Sequence, residues 1–228
     1  MVAAHLNFVV SLTLPVAGER LTETENYVAW DLETLRLSWE VPGRWNNPAG
    51  FGLSVAVTQD RLGSVQTWVE GEAKELIEYL GGFELVVGFN SRRFDNKVLG
   101  AYGDVTTIDM HTVDLLEDIS AACGRPNCVS LDRLAECLFG ETKLLDDPTD
   151  AVRMWRTGRP EDREYVVRYC QQDVDLTFRA YEFGRRNGFV IVPVPDAFWN
   201  ELPLVARVPV DWGDAPARPL VQPKRLDL

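Results

Sequence analysis

Tyr27-Val28-Ala29-Trp30-Asp31-Leu32-Glu33-Thr34 is an apolar run that ends in two carboxylates one residue apart. In a strand, successive side chains alternate faces, so Asp31 and Glu33 point the same way, roughly 6–7 Å apart along the backbone. Burial and like charge both push protons back onto such a pair. A hard divalent cation between the two removes that penalty, whereas a strand end open to solvent needs none. The tripeptide alone fits either case, and the rest of the chain has to decide.

After the acids, residues 39–50 hold Pro42, Gly43, Asn46, Asn47, Pro48 and Gly50, which predicts an irregular loop placed to shape a site. Phe51–Thr58 and Ser64–Val69 are β-rich runs split by Asp60-Arg61-Leu62-Gly63. This hairpin joins the strand over 27–33 in an antiparallel trio. Glu72–Leu80 has helical spacing, with Leu76, Ile77 and Leu80 on one side and Gly81-Gly82 as its stop. Leu85–Phe89 reads as a short buried strand, Arg92–Tyr102 as a helix and Thr106–Met110 as a strand. Val113–Ala122 and Leu131–Phe139 read as helices.

Glu161–Gly184 is the strongest helix. Pro160 sits near its start, Glu161, Asp162 and Glu164 suit the positive end of its dipole, and Gly184, Arg185 and Arg186 suit the other. Phe189–Val192 adds a last strand. Strands first, then helix alternating with strand, predict an α/β fold with a mixed sheet. Upstream, 7–14 reads as a strand and 17–26 as a polar linker. From Pro193 onward the chain carries seven of its 13 prolines, which excludes long regular elements there. Trp199 and Trp212 predict that part of this tail packs down as an arm. The expected division is thus an extension over 1–20, a domain over 21–192 and a Pro-rich arm over 193–228.

With 228 residues and 46% hydrophobic composition, the chain suits one well-packed domain with an extension. Its 35 acids against 23 bases give a net charge of -12, so a polyanion cannot be held by the overall field and must be gripped locally. Arg92, Arg93 and Lys97, and further along Arg153, Arg156, Arg159 and Arg163, are the local candidates, with scattered solvated charge as the plainer account. A protein partner that delivers the substrate is a second expectation of the acidic balance. No stretch approaches the ~18–20 apolar residues of a membrane span. The apolar opening has no Lys or Arg before Arg20, so it does not read as a secretion signal. Cys123, Cys128, Cys137 and Cys170 are then expected as reduced thiols in a cytoplasm. Cys123 and Cys128 have a zinc-like spacing but no second close pair to complete a site.

Two more pieces matter because they accompany the acid pair. Val86-Val87-Gly88-Phe89-Asn90 runs out of a strand toward Asp95 at a helix start, and Tyr169, Asp173 and Thr177 lie on one stripe of the long helix. The two histidines, His5 and His111, are far from these acids in sequence, and Arg168 stands five residues before Asp173, so that helix offers no histidine base.

Asp31-x-Glu33, Asn90-x-x-x-Phe94-Asp95 and Tyr169-x-x-x-Asp173 occur in that order, in strand, strand-to-helix and helix contexts. Together they resemble the three motifs of the DEDDy-type 3′–5′ exonucleases of the ribonuclease-H-like superfamily, which includes the proofreading domains of family B DNA polymerases. The resemblance runs from about Tyr27 to Phe183. It implies a ribonuclease-H-like three-layer α/β fold with a central mixed five-stranded sheet flanked by helices. It implies that Asp31, Glu33, Asp95 and Asp173 hold two divalent cations, Mg²⁺ or Mn²⁺, with Tyr169 on the attacking water. Thr34, Asn90 and Phe94, with Arg92 and Arg93, are then expected against the strand end, single-stranded DNA more than RNA. Two alternatives stay open: an RNA-trimming nuclease with the same site, and a retired fold serving as a binding scaffold. The second is disfavoured, because a scaffold has no reason to keep five costly polar groups together.

Overall fold

The structure, a computed structural model, describes residues 26–141, 149–194 and 205–213. The strand expected over 7–14 lies outside them, as does Trp199. The elements in order are β1 (Tyr27–Thr34), β2 (Leu53–Asp60), β3 (Val65–Val69), α1 (Ala73–Gly81), β4 (Leu85–Gly88), α2 (Asp95–Leu99), α3 (Thr106–His111), β5 (Thr112–Asp114), α4 (Leu115–Cys123), α5 (Leu131–Phe139), α6 (Thr149–Thr157), α7 (Pro160–Asn187), β6 (Phe189–Pro193) and β7 (Val205–Pro209).

Five strands form one mixed sheet in the order β3-β2-β1-β4-β5. β1 pairs antiparallel with β2, and β2 with β3; β1 pairs parallel with β4, and β4 with β5. β1 is therefore central and covered on both faces. Its even-numbered Val28, Trp30 and Leu32 pack with Leu76 and Leu80 of α1, Leu99 of α2 and Ile108 of α3. Its odd-numbered Tyr27 and Ala29 pack with Ile119 of α4, Leu134 of α5 and Val174 and Tyr181 of α7. The same alternation carries Asp31 and Glu33 onto the α7 side.

Several elements depart from the expectation. Residues 106–110 are helical, although Val105-Thr106-Thr107-Ile108 is β-branched: Asp104 accepts from the backbone N–H of Thr106 at 2.9 Å and from its hydroxyl at 2.6 Å, starting a turn. The strand forms at Thr112–Asp114 instead, and α4 begins only after it. The helix expected over 92–102 is reduced to α2, because Phe94 at φ -126°, ψ -73° and Asn90 at φ +66° hold the preceding residues in a turn. α7 runs past Gly184 to Asn187 and ends at Gly188, whose φ of +70° makes the left-handed cap. Gly184 serves a different purpose: a Cβ there would meet the Trp212 ring at 2.3 Å.

The strand over Phe189–Val192 forms but leaves the main sheet, pairing with β7 in a two-stranded sheet of its own. Trp212, just beyond, is buried and donates through Nε1 to Asp118 at 2.8 Å, so this part of the tail does pack down. The 39–50 loop is built from three 3₁₀ turns rather than being wholly irregular. α6 has no counterpart in the sequence reading.

A polar lock sets α7 against β1. The Tyr27 hydroxyl donates to Glu182 at 2.5 Å, Arg185 donates to the same carboxylate oxygen at 3.0 Å, and the Tyr27 ring meets that of Tyr181 edge-on at 5.1 Å. Burial pushes the Glu182 carboxyl up, but the Tyr27 hydroxyl and the two arginines, Arg185 and Arg186, outweigh it and hold it below its usual value. A depressed folded-state value contributes stability above the unfolded pKa of about 4.3, and that contribution is lost as pH falls through the folded value. Glu182→Gln should therefore cost about 1.5–3 kcal/mol at pH 7, a gap that narrows below about pH 4. Thermal melts across pH check this; a gap that stays constant down to pH 3 contradicts it.

Candidate active site

α7 crosses β1 where the strand's apolar residues give way to acids. Cys170 of α7 donates through its thiol to the backbone carbonyl of Asp31 at 3.4 Å, a contact only a small side chain permits. Asp173, one turn on, thereby faces the strand. One carboxylate oxygen each from Asp31, Glu33 and Asp173 lie within 4.8 Å of one another, the one such cluster found among the described residues. β1 and β2 slip register between Glu33 and Thr34, a bulge of the kind that re-aims side chains at a strand end.

Asp95, the first residue of α2, is buried beside this trio and faces the same cleft, of about 740 Å³. Tyr169, Thr34, Asn90, Arg93 and Phe94 line it as well. Arg92 does not. Its guanidinium donates to the Asp109 carbonyl at 2.8 Å and to the Thr112 carbonyl, and pairs with Glu117 at 3.5 Å.

Most of the other expected phosphate grips are likewise committed. Lys97 pairs with Asp109, Arg153 with Asp150, Arg159 with Asp162, and Arg156 with Glu40 and the Leu35 carbonyl. Arg163 lies over the Trp155 ring. Arg93 is left as the expected base that lines the cleft.

The charge of the site shows in its titrations. Burial first, then the neighbouring carboxylates of Asp114 and Asp173, push Asp95 up to about 7, against backbone hydrogen bonds at Asp95 and Leu32. Burial and the charges of Asp173, Glu33 and Asp31 push the Tyr169 phenol far above its usual value. Tyr169 is thus a hydrogen-bond donor at any working pH and not a base. The acids supply oxygen only, the donor set of a hard divalent cation, and their crowding concentrates negative charge where such an ion could be held. Away from the cleft, burial and the Cys128 thiol push Cys123 up to about 12.

No protein-family model matches the chain, and no curated protein matches it. Among solved structures, the family B DNA polymerase from the hyperthermophilic archaeon Pyrobaculum calidifontis is similar, with a TM-score of 0.54 and 19% identity. The match covers 71% of this chain and 24% of the polymerase, so this chain corresponds to about a quarter of that protein's length. At that identity the likeness concerns architecture alone. The fold is ribonuclease-H-like.

One residue that positions the site was missed in the sequence. Asp114 is buried at the end of β5 and accepts four backbone N–H groups: Asn90 at 2.9 Å, Arg92 at 3.0 Å, Leu116 at 3.1 Å and Glu117 at 3.2 Å. It caps α4 and holds the left-handed turn at Asn90 that leads to Asp95. Gly88 lets this turn fold back, since a Cβ there would meet Ser91 Oγ at 2.4 Å. The sequence did carry a signal, the Asp114-x-x-Glu117 pattern before an apolar run. Asp114→Ala should cost about 2–4 kcal/mol in urea denaturation. Asp114→Asn, whose carbonyl can take the place of Oδ1 and keep three of the four bonds, should cost less; equal losses contradict the assignment.

Proposed function

We propose that the chain is a metal-dependent 3′–5′ exonuclease that hydrolyses single-stranded DNA, or frayed 3′ ends, to nucleoside monophosphates. The observation that carries this reading is the convergence of Asp31, Glu33 and Asp173 to within 4.8 Å, in a cleft shared with Asp95 and Tyr169. The motif resemblance and the ribonuclease-H-like fold support it.

Asp31, Glu33, Asp95 and Asp173 would hold two divalent cations, Mg²⁺ or Mn²⁺. When bound, these supply charge stabilisation for a phosphodiester displacement and a nucleophilic water at neutral pH. The remaining work falls to the chain. Tyr169, kept protonated by its burial, orients the attacking water through its hydroxyl. Asn90 and Phe94 contact the terminal nucleotide, Thr34 lines the same wall, and Arg93 offers the scissile strand a cation. Arg92 acts at one remove, fastening the α2 turn to β5. With so few cations on the cleft, binding is weak and salt-sensitive.

Incubating the purified protein with Mn²⁺ and 5′-labelled DNA and RNA oligonucleotides should yield a one-nucleotide ladder, stronger on DNA and stopped by chelator. Asp31→Asn and Asp173→Asn should each lower the rate about 10³-fold or more, and Tyr169→Phe by about 10- to 100-fold. Undiminished cleavage by Asp31→Asn in chelator overturns the mechanism.

A further inference from the structure

The segment joining β1 to β2 contains an aromatic side chain that the exonuclease chemistry leaves unexplained. Trp45 is 66% exposed, yet it lines the cleft of the acid cluster. Its ring leans on Phe51 at 5.2 Å and on Phe94 at 5.7 Å between centroids, and Phe51 meets Phe94 edge-on at 5.1 Å. Phe51, almost wholly buried, roots the group in the core. Trp45 is its outer member.

That exposure is not the result of a loose loop. Leu35 donates its backbone N–H to the Gly52 carbonyl at 3.0 Å, Arg36 donates to the Gly50 carbonyl at 2.9 Å, and the Asn47 side chain donates to the Pro42 carbonyl at 3.0 Å. Arg156 of α6 grips Glu40 from outside at 2.9 and 2.5 Å. Just before Trp45 the backbone turns through two left-handed residues, Gly43 at φ +86° and Arg44 at φ +50°. Glycine takes that conformation freely, but arginine is strained in it, and such strain persists where the surroundings enforce it and concentrates at functional sites. A rigid, locally strained loop thus presents an indole to water at the mouth of the cleft.

We propose that Trp45 is a stacking platform for a nucleobase of the strand entering the cleft, a site for unpaired single-stranded nucleic acid that rests on the nuclease reading above. Every base has a π-face, so the platform accepts all four bases, but only when they are unstacked and unpaired. An entering base would rest against the free indole face while its backbone passes Arg93 toward the acids. Stacking supplies affinity without charge, which a chain of net charge -12 needs. The same surface offered to a protein partner would show no dependence on a base.

The test compares initial rates with Mn²⁺ on two oligonucleotides: oligo-dT, and the same strand with abasic nucleotides at its 3′ end. On oligo-dT, Trp45→Ala should raise KM about 5- to 150-fold and leave kcat within about threefold, while Trp45→Phe recovers most of the loss. On the abasic strand, the wild-type KM should already be high and Trp45→Ala should change it by less than about twofold. Trp39→Ala, on the same loop and outside the cleft, should leave KM unchanged and so controls for damage to the loop. If the wild type cuts and Trp45→Ala leaves KM unchanged, raises it equally on both strands, or acts no differently from Trp39→Ala, the platform is overturned and the nuclease stands. A wild type that cuts neither strand overturns both.

Discussion

Carboxylates held close together in a protein repel one another, and the rest of this structure is arranged around that repulsion. Asp31, Glu33 and Asp173 bring oxygens within 4.8 Å. At an effective dielectric near 20, each ionised pair at that distance costs about 3–4 kcal/mol. Repulsion of that size weighs against a net domain stability of about 5–15 kcal/mol. Nearby, burial with the charges of Asp114 and Asp173 pushes Asp95 up to about 7, and burial beside the trio keeps the Tyr169 phenol protonated. Such an arrangement is tolerable in a fold that binds a cation there.

The rest of the molecule keeps these groups from drifting apart. β1 lies between four other strands, so its register is set on both edges. α7 is locked to it at one end by Tyr27, Glu182 and Arg185, and closer to the acids by the Cys170 thiol on the Asp31 carbonyl. Asp95 arrives from a third direction, on a turn tied by Asp114 to the end of β5. Three separate fastenings thus serve one spot, and each is a short hydrogen-bonded contact between distant parts of the chain.

Much of this was legible in the sequence because it follows from periodicity. The alternation in 27–34 placed both acids on one face, the β-rich runs around Asp60–Gly63 made the hairpin, and the capped apolar stripe of 161–184 made the long helix, three residues short of its true end. What failed depended on side-chain contacts, near or remote in sequence, that leave no periodic signal. Thr106–Met110 has strand-forming residues, but a local Asp104 cap turned it into helix. Arg92 and Arg156 read as free cations, whereas the fold had already paired each with backbone carbonyls and a carboxylate. Composition could not reveal that Trp45 stands open over the cleft, since burial is decided by a loop whose 3₁₀ turns have no periodic signature. The expected metal residues Asp31, Glu33 and Asp173 do come together, with Asp95 in the same cleft, because each was identified by the element it sits on as well as by its charge.

Isothermal titration of the purified chain with Mn²⁺, beside Asp173→Asn, tests the central claim most directly, because it asks for the cation without asking for catalysis. Saturable binding at or below millimolar metal in the wild type, lost in the variant, is the predicted result. Absence of binding by a folded wild-type chain at millimolar Mn²⁺ would contradict it.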